Sequence, residues 1–424
     1  MKRIISLFVC SLPILLSVRT VRADFFSTED GKLRLSSFGT LGVVYDSSDI
    51  LYLQTSTDQP NTFDGHWSWR SSTQLGIQAS AKFTDEWDAM VQFLIKDRSY
   101  NSLNENLFWG LLRWQPSRNF TVRAGRLGLD VYLLSDYRNV GYAYLWERPP
   151  TEFYGSLINQ NFDGVDLAWR VPLAQGFFQA KAFAGSYSHS FPIFQLDTVS
   201  KNTLALSPIF GGKFSYEDED WQLSLGATYT IFDKNFVGIS QLLQGLSAPG
   251  LRTVWSNAAD YAAQLNKVGK GIGFYSIGAA YNANEWSIQS EFGYLDSGVP
   301  EIQSQFSGYF SIGRHIGDIT PYLLFSIARP SGESKTVVPP EISGPLQDQL
   351  YAATSIAMQE YRINQETISL GARWDFAPNL AAKIQWDHSH VAANSSSLWL
   401  NGSREISTPD LDVDLFSLSM NWSF

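Results

Sequence analysis

Residues 411–424 read LDVDLFSLSMNWSF and end on the aromatic residue Phe424. From Phe416 onwards, serine or asparagine alternates with large apolar residues, namely Phe416, Leu418, Met420, Trp422 and Phe424. Successive side chains of a β-strand point to opposite faces of the sheet. The pattern therefore predicts a strand with one apolar and one polar face.

The same two-residue period recurs upstream, from Leu33 onwards, most clearly in residues 86–96 and 379–387. Polar turns separate the segments near 84–85, 116–119, 172–175, 217–220, 283–284, 317–318 and 377–379. Mostly longer connections fall near 46–70, 98–105, 128–161, 189–206, 233–270, 296–304, 329–364 and 391–410. Seven short and eight long connections, in alternation, predict an all-β fold of about sixteen antiparallel strands joined up and down.

The N-terminus predicts an exported protein. Lys2 and Arg3 precede an apolar run that extends to Val18, and a small residue, Ala23, follows it. Because the run is too short to span a bilayer as a helix, we interpret residues 1–23 as a signal peptide cleaved after Ala23. Residues 24–424 would then form the mature protein.

Cleavage would change the chemistry of the chain in two ways. It would remove Cys10, the only cysteine, so disulfides would contribute no rigidity. It would also remove four basic residues and no acidic one, which leaves 27 basic and 41 acidic residues and a net charge of −14. A protein this acidic is not expected to bind nucleic acid.

The composition favours strands that cross a membrane. Aromatic residues make up 14% of the chain and charged residues 17%, and beyond the predicted signal peptide no stretch approaches 18 apolar residues. A soluble β-sandwich is the alternative, but it would not need long connections at one end only. Nor would it need tryptophans beside the short turns, where a barrel carries an interfacial girdle. These are Trp87, Trp114, Trp221, Trp286, Trp374 and Trp422.

The closing strand, residues 411–424, resembles the C-terminal assembly signal of bacterial outer-membrane proteins, which ends in an aromatic residue. The number of strands and the loop pattern resemble the sixteen-stranded porins of Gram-negative bacteria over the whole mature chain. This resemblance implies a location in the outer-membrane lipid and a homotrimer. It also implies that the third long connection, 128–161, folds into the barrel and narrows it.

A barrel of this size encloses a channel, so the inward side chains and the third connection would set its selectivity. We expect wall cations to face acids of that connection across a narrow zone, although a single inward cation is more often simply solvated or locally paired. Strict alternation puts Arg126 on the outer face, so it would have to lie above the apolar band or at a bulge. The candidate residues are Lys96, Arg113, Arg123, Arg126, Arg170, Asp130, Asp136, Arg138, Glu147 and Glu152.

The third connection is also rich in aromatic residues, which we interpret as anchors against the barrel wall; a slide for sugars or aromatic acids is the alternative. Two later connections contain helix-like stretches, at 239–266 and 344–361. His388 and His390 share a strand face, but no further metal ligands are evident nearby, and no nucleophile motif appears. We therefore expect neither a metal, a cofactor nor catalysis.

These features predict a passive channel for small hydrophilic solutes and ions. Two alternatives stay open: a surface-binding barrel with a closed lumen, acting as adhesin or receptor, and a barrel enzyme.

Overall fold

The computed structural model describes residues 26–55, 59–60, 62–98, 102–155, 157, 159–195, 198–332, 336–358, 362–395, 398–401 and 409–424. The predicted signal peptide lies outside the described residues. Within them, sixteen strands of nine or more residues form one antiparallel sheet, numbered here β1 to β16. The strands are Leu33–Asp46, Gln74–Lys82, Trp87–Lys96, Leu107–Ser117, Phe120–Gly128, Asn161–Leu173, Gly176–Gln195, Thr198–Asp218, Trp221–Phe232, Gly271–Ala283, Trp286–Ser297, Gln305–Arg314, Ile319–Pro330, Gln365–Ala377, Leu380–Val391 and Leu411–Ser423.

Each strand pairs with its neighbours in sequence, and the sheet closes on itself. β1 pairs with β2, where Leu35 lies opposite Ala79, and with β16, where Gly39 lies opposite Trp422. Every barrel strand therefore has a partner on both sides, which leaves no sheet edge exposed in the apolar medium. The closed sixteen-stranded barrel confirms the predicted fold class.

The two faces of the sheet differ as the alternation predicts. On β15, Ile384 is 60% exposed, whereas its neighbour Gln385 is 2% exposed. Outward positions on other strands are also large and apolar, as with Phe292 and Phe306, while inward positions carry serine, threonine or charged residues. The outer surface is thus suited to lipid and the inner wall to water.

Tryptophans gather at the end of the barrel where the short turns lie. Trp87 and Trp114 stack there, with ring centroids 5.9 Å apart, and Trp286 packs beside Arg314. Trp221 and Trp374 are likewise exposed on the outer surface, and Trp422 is half-buried. This placement matches an interfacial aromatic girdle.

One predicted connection is wrong. Instead of a long loop over 189–206, β7 and β8 continue as a paired ribbon whose register places His189 opposite Leu204, after a bulge between Gly185 and Tyr187. Serine, threonine, asparagine and proline residues within the segment favour a loop in the sequence. The pairing is made by the backbone, so it extends both strands in spite of those side chains.

The long connections carry the remaining secondary structure. Five helices, α1 to α5, lie in the described residues: Leu103–Asn106, Thr151–Tyr154, Val237–Leu246, Ala258–Leu265 and Pro345–Ala357. The last three agree with the two helix-like stretches found in the sequence. Connections one and eight pair through Leu51–Leu53 and Trp399–Asn401. None of the helices described here has the length and apolar character needed to cross a membrane.

Candidate functional site: the lumen and its inserted loop

The third long connection, residues 129–160, lies inside the barrel and is called here the inserted loop. Near its start, Asn139 accepts a hydrogen bond from Gln74 of β2 through its carbonyl oxygen, and Val131 accepts one from Ser276 of β10. Later, Trp146 donates to Ser311 of β12 at 2.6 Å. The loop therefore follows the inner wall around much of the barrel.

Two wall cations hold the loop backbone. Lys383 of β15 donates to the carbonyl oxygens of Gly141, Tyr144 and Trp146 at 2.5, 2.8 and 2.6 Å. Arg373 of β14 donates to the carbonyl oxygens of Tyr142 and Tyr144 at 2.7 and 2.9 Å. Hydrogen bonds from charged donors are stronger than neutral ones, so these contacts fix the position of the loop inside the lumen.

Two acidic side chains of the loop, those of Glu152 and Asp130, point into the wall. Glu152 is 2% exposed and accepts hydrogen bonds from Ser326, Gln365 and Thr367 of β13 and β14. Asp130 lies between two ammonium groups, those of Lys181 and Lys213. Burial alone would raise the pKa of Asp130, but the two lysines outweigh it and lower that pKa below its usual range.

The aromatic residues of the loop pack against the wall, as expected for anchors. Tyr132 and Phe153 contact Phe274 of β10, with Tyr132 and Phe274 centroids 5.3 Å apart. Tyr154 donates to Glu291 of β11, and Tyr309 donates to the same carboxylate at 2.7 Å. Ring burial and hydroxyl hydrogen bonds together attach this part of the loop to β10–β12.

The sector β3–β6 has a different charge pattern. Asp88, Arg113, Arg123 and Asp166 are successive cross-strand partners, so they form one row across the inner wall. Arg113 pairs with Asp88 at 2.5 Å and Arg123 pairs with Asp166 at 2.5 Å. Asp136 of the inserted loop is close enough for its charge to act on Arg123. Loop acid and wall cations thus approach each other in this sector.

The other sequence candidates are spread through the barrel. Arg170 lies on β6 near the short-turn end, with its guanidinium 3.1 Å from the centroid of Phe177. Arg126 shares a strand face with Val165 and Leu167, which point outward, and it pairs with Asp163. The sequence-based prediction places Arg126 on the pore wall, but the structure places it outside the lumen. No bulge in β5 reverses the alternation of side chains at this position.

A recess opens on the long-loop side of the inserted loop and is continuous with solvent. Lys96, Arg138 and Glu147 line it, together with Arg148. Arg148 pairs with Glu147 at 2.8 Å and also with Asp387 of β15. The structure therefore brings four charged residues to one site, three of which were candidates from the sequence.

Sequence reasoning missed which wall residues hold the loop. Lys383, Arg373 and Glu291 are recognisable as inward charges from alternation, but not as partners of the loop. Their partners in the loop lie between 137 and 242 residues away in the chain. No local pattern carries that information.

The histidine pair does not gather further metal ligands. His388 contacts Asp414 and His390 contacts Asp412, each across the β15–β16 pair. In the part of the chain that the structure describes, no group of three or more His, Cys, Asp or Glu side chains is arranged to hold a metal ion.

Comparison with known proteins shows the class of this barrel. No protein-family model matches the chain, and no curated protein matches it in sequence. Outer-membrane expressed OmpT of Vibrio cholerae is similar in structure, with a TM-score of 0.51 at 11% identity over 94% of this chain and 100% of that one. An anion-selective porin from Comamonas acidovorans has a TM-score of 0.50 at 11% identity, over 92% of this chain and 99% of that one.

Identities this low show the fold alone. The chain has a closed sixteen-stranded antiparallel barrel, the fold seen in these outer-membrane proteins.

Proposed function

We propose that this chain forms a water-filled channel in the outer membrane of a Gram-negative bacterium. Small hydrophilic solutes and ions would diffuse through it passively, without a cofactor or a catalytic step. The observation that carries this proposal is the inserted loop, held along the wall by Lys383, Glu152 and Asp130, beside a sector of paired charges on β3–β6. A polar lumen narrowed by a fixed loop is the architecture of a size-limited diffusion pore.

In this proposal the row of charges on β3–β6 acts on solutes electrostatically. The row contains two cations flanked by two acids, Asp88 and Asp166, and Asp136 adds a further negative charge from the loop. Charges of both signs at a narrow, low-dielectric passage create a transverse field that orients dipolar solutes. Arg113 and Arg123 would supply its positive side.

The proposal includes export through a cleaved signal peptide, residues 1–23, and assembly as a homotrimer surrounded by outer-membrane lipid. The long connections would face the outside of the cell and the short turns the periplasm. The apolar outer surface supports the lipid surroundings of the barrel.

Single-channel recording in planar bilayers tests the proposal. The refolded protein should give stable, ohmic conductance steps, and Arg123→Ala should shift the reversal potential in a salt gradient. Arg314→Ala is the matched control, because Arg314 is exposed and pairs with Glu285 away from the lumen. A correctly folded barrel that never conducts would overturn the channel.

The same geometry also favours a second candidate, a surface-binding barrel with a closed lumen. The inserted loop contributes Leu134 and Tyr137 to one continuous apolar cluster that includes Leu94 and Trp109 from β3 and β4. If that packing seals the passage, the long connections would carry the function as an adhesin or receptor. Absence of conductance, together with binding of a ligand by the long connections, would support it.

A further inference from the structure

The recess on the long-loop side of the inserted loop has an unusual lining. Eighteen described residues line it, and none of them is Ala, Val, Leu, Ile or Met. Hydroxyl and amide side chains predominate, as in Gln74 and Asn139. These side chains offer hydrogen bonds to a polar solute.

Arg138 differs from the other arginines around this recess and the inner wall. Arg148, Arg113 and Arg123 each pair with a carboxylate at short distance. Arg138 makes no ion pair among the described residues; it donates through Nη2 to the carbonyl oxygen of Tyr154 at 3.2 Å. Burial lowers the pKa of its guanidinium below the usual range, which reflects the cost of an uncompensated charge.

The guanidinium is held in place while part of it stays available. The rings of Tyr132 and Tyr154 lie 5.9 and 5.7 Å from its central carbon. Its Nε and Nη1 atoms make no hydrogen bond among the described residues, and the half-buried side chain lines the recess. A planar, preoriented guanidinium with free donors recognises carboxylate geometry.

The acidic side chains near Arg138 do not form an ion pair with it. The charge of Glu291 acts on Arg138, but the Glu291 carboxylate already accepts from the Leu133 amide and the Tyr154 and Tyr309 hydroxyls. Glu147 lines the recess but pairs with Arg148. With Lys96 also in the lining, the recess carries three cations and one acid.

We propose that the recess is a binding site for small organic anions, whose carboxylate pairs with Arg138 while the hydroxyl and amide lining binds the rest of the molecule. This inference rests on the proposed channel function, for which it names a preferred class of solute. The recess would concentrate carboxylates at the long-loop side of the inserted loop before they reach the β3–β6 sector.

The test measures binding to the purified, detergent-solubilised full-length barrel by saturation-transfer NMR, with succinate as the probe. We expect succinate to bind the wild type and to lose about tenfold in affinity in Arg138→Gln, because a charge-assisted contact is removed. Arg138→Lys should retain part of the affinity, and Arg314→Gln all of it. Heat-modifiable mobility on gels verifies that each variant is folded.

Two further ligands sharpen the assignment. Succinamide has nearly the same shape without charge and should not compete with succinate. Inorganic phosphate should bind more weakly than succinate. Equal affinity of succinate for wild type and Arg138→Gln would overturn the proposal, as would equal binding of succinamide; phosphate binding as tight as succinate would overturn the assignment to carboxylates.

Failure of this inference is distinguishable from failure of the channel, because binding in micelles does not require conduction. If succinate binds through Arg138 but the barrel does not conduct, the proposed channel is overturned and the proposed anion site stands. If the barrel conducts but does not bind succinate through Arg138, the anion site is overturned and the channel stands.

Discussion

The inserted loop, residues 129–160, and the helical connection, residues 233–270, are both long and rich in apolar side chains, yet only the first has polar anchors around the inner wall. In the helical connection, apolar groups pack on other long connections: Gly245 of α3 lies against Leu350 of α5, and Trp255 packs 6.3 Å from Tyr351. Lys267 and Glu301 form a buried ion pair beside it.

The difference shows what places a loop inside a barrel. Apolar residues alone can bury themselves against neighbouring loops, as α3, α4 and α5 do. A polar wall holds a loop where the buried carbonyls and carboxylates of that loop find donors, because an unsatisfied polar group costs free energy. The four predictions below test this division of roles.

The largest effect is expected at the helical connection, in Lys267→Met. Lys267 and Glu301 are both fully buried, at an Nζ–Oε2 distance of 2.6 Å, so the variant leaves an unpaired carboxylate in the interior. The free energy of unfolding should fall by about 3–5 kcal/mol, measured by urea titration in lipid vesicles. Single-channel conductance should stay unchanged, since this pair does not hold the inserted loop.

The pH dependence of Lys267→Met gives a second readout. Burial raises the pKa of Glu301, and Lys267 partly offsets that rise, so its removal raises the pKa further. A carboxyl whose folded pKa lies above its unfolded value of about 4.3 favours folding more as pH falls. Stability lost at pH 8 should therefore return towards pH 5. A loss that is independent of pH would contradict this explanation, and Lys267→Met/Glu301→Leu should recover much of it.

The next effect concerns the loop anchor Lys383. Its replacement by methionine leaves the carbonyls of Gly141, Tyr144 and Trp146 without their shared donor, which should cost about 2–3 kcal/mol. The loop should then move from the wall, with larger and noisier conductance and new proteolytic cleavage near 141–146. Lys82→Met, at a solvent-exposed lysine, is the matched control. Unchanged conductance and protease resistance would contradict the anchoring role.

A smaller effect is expected for Glu152→Gln. The amide retains one acceptor oxygen for the three donors of Ser326, Gln365 and Thr367, so stability should fall by about 1–2 kcal/mol. Conductance should become noisier without a large rise, because Lys383 and Arg373 still hold the loop. Urea titration and noise analysis of single channels measure the two quantities, and a change as large as that in Lys383→Met would contradict the ranking.

The smallest effect is expected for Arg314→Gln on the outer surface. Arg314 and Glu285 pair at 2.7 Å, but their side chains are 53% and 61% exposed. Solvent-exposed pairs contribute about 0–1 kcal/mol, so unfolding free energy and conductance should stay close to the wild type. A fall in the free energy of unfolding of more than about 1 kcal/mol would contradict the view that burial decides how much an ion pair contributes.

The candidate site was predicted only in part. Alternation places Arg113, Arg123 and Arg170 on the inner wall, and the structure has them there. In line with the expectation of opposed loop and wall charges, Asp130 lies between two wall lysines. Glu152, in contrast, accepts hydrogen bonds from Ser326, Gln365 and Thr367. Pairing partners far apart in sequence depend on how the barrel closes, which no single segment reveals.

The sequence by itself determined the barrel. A two-residue period, repeated between alternating short and long connections, predicts one closed sheet with an apolar outer surface. The reason is that each strand must pair its backbone groups and also place its apolar face in lipid. Only the tertiary structure decided the interior. It depends on strands that are distant in sequence and that closure of the barrel brings around one lumen. These strands decide which donor binds which carbonyl of the inserted loop. They also leave Arg138 without a carboxylate partner among the described residues.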